Sequence, residues 1–387
     1  MKIAAYLKSD ISKGGGFNQS LNDLQRLIRI CNKNQIEIVL YTIKKNLNIA
    51  KELNLNVRIY KINITDLMKA YFNTTVISFL IGPILNLFPN FEKKLKKNSI
   101  DLVYFLSPNI LQLSLLELNF ITTIWDLGHK SAPYLKEMRN KSTNFLREWL
   151  YSHSLSNAYK IITDCDETSN QIEKYYNVYQ NNLLSVPFSK NPFFTSKLVK
   201  NHSLRLPKKY YLYPAQFWTH KNHHLIIRAL KYLDGNDIKI IFTGNDQGNL
   251  HYINKSIKKY KLDNKIINLG FVDNDSLAKL YKNCFAVIMP SLIGPTNIPP
   301  IEAWYFKKPI LYPSQFKSFT KQGAIYFDYF REDELAGAIL KIENISYYKK
   351  KVKDGTQRLK ELNKEINLKT KKLEKFIMEY QKVKFLG

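Results

Sequence analysis

Short runs rich in Ile, Val, Tyr and Phe recur along the chain, separated by stretches whose apolar residues fall three and four apart. The runs at 3–7, 36–42, 57–60, 102–106, 120–125 and 160–163 have strand character. Between the first two, Phe17, Leu21, Leu24 and Ile28 lie on one helical face. Around 188–207 the periodicity lapses into Ser, Lys, Asn and Pro, which predicts a linker. The rhythm then restarts, with strands at 210–215, 238–243, 266–270, 285–289, 310–312 and 325–327. Helices are expected at 222–230, 276–283 and 299–306. A charged helical pattern closes the chain, with Leu362, Ile366, Leu373, Phe376, Ile377 and Tyr380 on one stripe. Strands alternating with helices predict an α/β protein with parallel sheets covered on both faces. Two Rossmann-like domains in tandem are expected, 1–195 and 206–362, followed by a C-terminal helix at 363–387. A ligand is expected in the cleft between them, outside the carboxyl ends of the strands.

Composition narrows the class. The 387 residues hold 59 Lys and Arg against 32 Asp and Glu, a net charge of +27. Such a charge favours anionic partners. The basic residues are spread along the chain, without zinc-finger spacing, an aromatic RNA-binding motif or basic-zipper heptads, so no nucleic-acid partner is expected. Cys31, Cys165 and Cys284 are far apart and fit a reducing compartment. The basic start at Lys2 is broken too early by Lys8, Ser9 and Asp10 to read as a secretory signal. No apolar run reaches membrane-spanning length; 76–88 stops at thirteen residues and contains Gly82-Pro83. The expected location is the cytoplasm. Lysines 93, 94, 96 and 97 follow that run, and apolar surface beside clustered lysines is the composition of a membrane-surface element. A core helix followed by a solvated one fits the same pattern equally well. Abundant Lys, Asn and Ile point to an AT-rich bacterial genome.

Two segments of the second half carry candidate chemistry. In Tyr213-Pro-Ala-Gln-Phe-Trp-Thr-His220-Lys221-Asn222, a strand runs into a helix start. Lys221 there is suited to a diphosphate, although an exposed lysine at a helix start is also ordinary. In Pro290-Ser-Leu-Ile-Gly-Pro-Thr-Asn-Ile-Pro-Pro-Ile-Glu302-Ala-Trp, the amides of Thr296, Asn297 and Ile298 can face a cleft, whereas Pro295 has no amide hydrogen. Glu302 can accept from two ribose hydroxyls, or simply complement the helix dipole. Asp164-Cys165-Asp166 follows a strand and reads as a helix cap and turn. His220, His223 and His224 flank one helix start without a carboxylate partner in sequence, so no metal is expected.

Together these segments resemble family 4 of the glycosyltransferases, a retaining group with the two-Rossmann GT-B fold. Further stretches match: Asn268-Leu-Gly-Phe-Val272 through Pro290-Ser291, Ala158 to Asp164, Thr122-Thr-Ile-Trp-Asp126-Leu-Gly-His129, and Gly14-Gly15-Gly16 with Gln19-Ser20. The resemblance implies that Lys221 neutralises the donor diphosphate and Glu302 holds the ribose. It places the backbone of Thr296, Asn297 and Ile298 at the donor sugar or phosphates, with Gln216 in the same loop set. It puts Phe271 and Val272 near the base, lets backbone approach a substrate at Gly15 and Gly16, and sets Asp126 and His129 on the acceptor side. It makes the first domain the acceptor side and the second the donor side, with the C-terminal helix crossing back to the first.

Three positions depart from the family pattern: Gly294, Gln216 and Trp125 stand where a Glu, an Arg and a His are usual. The variant resembles a recurring, mannosyltransferase-like subgroup. The expected function is a retaining hexosyltransferase, using a nucleotide-sugar donor and no cofactor or metal. It would act on a glycan or lipid-linked acceptor in surface polysaccharide synthesis, with an anionic membrane face as a possible partner. The alternatives are a GT-B nucleotide-sugar epimerase and a non-catalytic basic relative that binds membrane or nucleic acid.

Overall fold

The computed structural model describes residues 1–8, 14–194, 205–233, 235, 237–294 and 296–386. Residues 9–13, the middle of the expected linker and Pro295 lie outside the described residues. The chain divides into two compact units. The first comprises Met1–Leu127, Lys141–Pro187 and Glu365–Gly387, and the second Gly128–Asn140 and Phe188–Lys364.

Unit one is built on seven strands: β1 (Lys2–Leu7), β2 (Glu37–Thr42), β3 (Asn56–Ile59), β4 (Leu102–Phe105), β5 (Phe120–Ile124), β6 (Lys160–Thr163) and β7 (Leu183–Ser185). Their order is β3-β2-β1-β4-β5-β6-β7, and every pairing is parallel. Strands β1, β4 and β5 are buried along nearly their whole length, which is why their sequences read as continuous apolar runs. Strand β7 was not expected. Three residues are too few to show a period, and pairing with β6 alone makes it a strand. Tyr6, Phe91, Phe105 and Phe120 meet edge-on or tilted in the core.

Between β3 and β4 three short helices form a cap, Ile64–Phe72, Ser78–Leu85 and Phe91–Lys97. Its anchors are buried charges. Asp66 closes a capping box with Asn63 and also accepts from the Tyr60 hydroxyl at 2.6 Å and the Phe91 amide at 2.7 Å. Lys69 is fully buried and donates to Glu92 at 2.9 Å and to Asn86 at 2.7 Å. The other oxygen of Glu92 accepts the amides of Leu116, Glu117 and Leu118 at 2.8, 2.8 and 3.1 Å. Burial pushes the Glu92 carboxyl up, but these amides and the Lys69 charge outweigh it and hold it below the ordinary carboxylate range. Among the described residues no helix is long and apolar enough to cross a membrane.

Unit two carries six parallel strands: β8 (Tyr211–Pro214), β9 (Ile240–Thr243), β10 (Ile266–Asn268), β11 (Ala286–Ile288), β12 (Ile310–Pro313) and β13 (Ile325–Phe327). Their order is β10-β9-β8-β11-β12-β13. One 42-residue helix, Ile345–Leu386, closes the chain. Its first part is tied into unit two by Arg358, which donates to the Phe319 carbonyl at 2.9 Å. Its last part belongs to unit one, where the Tyr380 hydroxyl donates to the Asp101 carbonyl and Tyr159 donates to that of Phe376.

Because Lys69 and Glu92 are buried together, removing one partner strands the other. Lys69→Met is expected to cost about 3–5 kcal/mol of stability, measured by denaturant unfolding. Glu92 is held below its unfolded value, so its contribution is present above pH ~4.3 and is lost as pH falls below that. An unchanged midpoint in Lys69→Met would show that the pair does not anchor the cap.

Candidate active site

The strands of unit two run parallel, so the loops that follow them leave one edge of the sheet. After β8 the chain makes a tight turn, Thr219–Lys221, and Asn222 takes a left-handed conformation (φ 54°) before the helix His223–Ala229. The Tyr213 hydroxyl donates to the Lys221 carbonyl at 2.5 Å. The Leu292 amide donates to the His220 carbonyl at 2.8 Å. These bonds hold the turn against the loop that follows β11.

There Lys221 Nζ lies 3.5 Å from Asn297 Oδ1. The Asn297 amide nitrogen donates to the Gly294 carbonyl at 3.0 Å and to the Tyr312 hydroxyl at 2.8 Å, so both ends of a buried side chain are engaged. Thr296 is buried beside it, and Ile298 opens the helix Ile298–Tyr305. Gly294 has φ 91°, and a Cβ there would stand 3.1 Å from the Thr296 carbonyl oxygen and 3.4 Å from Asn297 Nδ2. A glutamate at this position would be strained in this backbone.

Gln216 accepts from the Trp218 indole at 3.0 Å. Beside it a Cβ on Gly244 would fall 2.3 Å from the Ala215 carbonyl oxygen, so the loops after β8 and β9 touch backbone to backbone. The Gly244 amide donates to the Gly270 carbonyl at 2.8 Å, extending the contact to the loop after β10. Phe271 follows with 56% of its surface exposed, and Val272 is half-buried. The candidate base-side residues thus adjoin the Gln216 loop through backbone contacts.

Glu302 is buried and accepts the Asn191 amide at 3.2 Å. Burial pushes its carboxyl up to about 7, against the pull of the Tyr281 hydroxyl, the Asn191 amide and the Lys190 charge. Asn191 is itself fixed by Asn274 at 2.8 Å, so the stretch 190–194 forms part of this site. A carboxyl pKa near neutrality is characteristic of functional carboxyls and also of deeply buried ones.

Glu137 was not anticipated. It comes from the Gly128–Asn140 stretch, which belongs to unit two although unit-one sequence flanks it. One oxygen accepts the His220 amide at 2.8 Å and meets His220 Nδ1 at 2.5 Å. Burial opposes ionisation, but the His220 contacts bring the Glu137 carboxyl down to about 2. The three histidines look in different directions. His220 faces Glu137, His224 meets Ser256 Oγ at 3.2 Å, and His223 is enclosed by Tyr213, Phe217 and Phe242. That enclosure drives the His223 ring well below its ordinary pKa.

The remaining candidates divide between the units. Gly15 and Gly16 open the first helix of unit one, Gly15–Lys33, and the Trp125 ring lies 3.2 Å from where a Gly16 Cβ would be. Asp126 follows β5 in the same unit and is exposed. His129 is buried in the short helix Gly128–Ser131 of unit two. Cys165 occupies the N-cap position of the helix Asp166–Tyr176, with Asp166 and Glu167 in its first turn.

Residues 195–358, which contain Lys221, Asn297 and Glu302, match the family model of the glycosyl transferases group 1. The O-antigen chain mannosyltransferase RfbU of Salmonella typhimurium is 26% identical over 202 residues, 51% of this chain and 54% of that protein. An uncharacterized glycosyltransferase of Methanocaldococcus jannaschii is 29% identical over 109 residues, 28% of this chain and 27% of that protein. The chain spans about a quarter to half the length of the curated relatives it matches. Among solved structures, Anabaena HepE in complex with UDP-glucose superimposes with a TM-score of 0.69 at 15% identity, covering 97% of this chain and 100% of that one. The fold is thus GT-B, α/β with two Rossmann-like domains, and its second unit carries the stretch matched to glycosyl transferases group 1.

Proposed function

We propose that the protein is a retaining glycosyltransferase. It moves a hexose from a nucleoside-diphosphate sugar to a glycan or lipid-linked acceptor in surface polysaccharide synthesis. The observation that carries this reading is the Lys221–Asn297 contact at the strand-end edge of unit two, within the matched stretch. The likeness to a mannosyltransferase and to a structure holding UDP-glucose supports the substrate class.

In this reading Lys221 offsets the charge that develops on the departing diphosphate. Asn297 keeps the ammonium aimed, and its Tyr312 and Gly294 bonds keep Asn297 from turning away. Glu302 accepts from the ribose hydroxyls, and Phe271 offers an exposed ring to the base. Asp126 and His129 serve the acceptor, and Gly15 and Gly16 let a substrate approach backbone closely. No cofactor or metal enters the scheme.

Lys221→Ala is expected to weaken nucleoside diphosphate binding at least tenfold while leaving nucleoside binding nearly intact, as read by titration calorimetry. Lys221→Arg should rescue only in part, because a planar fork differs from a point charge. Equal losses for both ligands would mean that the lysine does not meet phosphate.

Glu302 must be ionised to accept hydrogen bonds from two hydroxyls, and its carboxyl sits at about 7. Affinity of the wild type for a nucleoside, which carries no titrating phosphate, should therefore rise as pH climbs from 6 to 8. Glu302→Gln should bind about tenfold more weakly and lose that slope. A variant that retains the slope would remove Glu302 from the ribose site.

A further inference from the structure

One helix in the cap of unit one is inside out. Along the helix Ile64–Phe72 the charged residues Asp66 and Lys69 are buried, while Ile64, Leu67, Met68 and Tyr71 are exposed. Those four lie at spacings of three and four, a continuous apolar stripe turned to solvent. The neighbouring helix Ser78–Leu85 packs against it and adds Leu80 and Ile84, and Val76 between them is 89% exposed. A monomeric soluble protein rarely leaves so large an apolar face uncovered.

The exposed charges of the cap's own sequence have one sign. From residue 58 to 97 the sequence holds two acidic residues, Asp66 and Glu92, and both are buried and hydrogen-bonded. The basic residues there, apart from Lys69, are Arg58, Lys61 and lysines 93, 94, 96 and 97. Lys96 is paired with Glu117 at the edge of the cap. The buried acids anchor the cap from within, so the fold internalises its negative charge and presents apolar and cationic groups.

We propose that this cap docks unit one onto an anionic lipid bilayer, with the apolar stripe entering the headgroup boundary and the lysines meeting lipid phosphates. A second copy of the chain fits less well, because a self-complementary contact would set lysines against lysines. An acidic protein would match the lysines but leaves no reason for an apolar stripe flanked by cations. The docking does not depend on the donor site of unit two, so either reading can fail without the other.

Sedimentation with vesicles of phosphatidylglycerol and phosphatidylcholine tests it. The wild type should bind at low salt, weaken as salt rises, and retain a salt-resistant remainder from the apolar stripe. Changing Lys93, Lys94 and Lys97 to Gln should weaken low-salt partitioning about a hundredfold. Changing Leu67, Leu80 and Ile84 to Ser should leave the melting temperature intact and abolish the salt-resistant remainder. No wild-type binding at low salt would overturn the proposal. So would equal binding by the Ser variant, which would reduce the effect to bulk charge. A dimer, seen by light scattering, that the Ser substitutions dissolve would assign the face to a second copy. Nucleoside diphosphate titration of the same variants should show unchanged affinity.

Discussion

A parallel sheet cannot turn its chain at both edges alike. Each strand of unit two must be followed by a crossover, and every loop leaving a carboxyl end emerges on one side. That constraint brings residues 216, 221, 244, 271, 294 and 296–298 to one edge of a sheet although they are far apart in sequence. What the loops then do depends on close backbone contact. Gly244 lies against Ala215, and its amide bonds Gly270, so the loops after β8, β9 and β10 meet backbone to backbone, with the Thr243 hydroxyl donating to the same Gly270 carbonyl at 2.6 Å.

On this framework the side chains settle in a definite order. Tyr213 and Leu292 fix the turn that carries Lys221, and Tyr312 and Gly294 fix Asn297. The ammonium then has a neutral amide oxygen beside it. Gly294 is part of the same solution, since its backbone conformation is one a glutamate would resist. The Glu137–His220 pair adds a further tie next to Lys221.

Most strands were legible because burial on both faces writes them as apolar runs, although β3 is largely exposed and β7 was missed; the structure matches the expected runs to within two residues at each end, as for β6 and β13. Lys221 and Glu302 could be singled out because each follows a strand and opens or enters a helix. Contacts between distant segments were not legible. Nothing in the sequence near Glu137 marks it as the partner of His220, 83 residues on. Asn191 and Tyr312 likewise acquire their roles only when the sheet folds. The run at 76–88 showed its apolar character in sequence, but not that the adjoining helix turns its charges inward and its apolar stripe out. That inversion depends on the bonds of Glu92 to three amides of a later loop.

The central claim is that unit two holds a nucleoside diphosphate through Lys221. A thermal-shift panel of nucleosides, nucleoside monophosphates and nucleoside diphosphates with different bases tests it most directly. Ligand at 100 times its Kd adds about 2.7 kcal/mol of stability, a shift of several degrees. The account predicts such a shift from the diphosphate of one base, little from its nucleoside, and none in Lys221→Ala. A panel in which no diphosphate raises the melting temperature, or in which Lys221→Ala responds like the wild type, would contradict it.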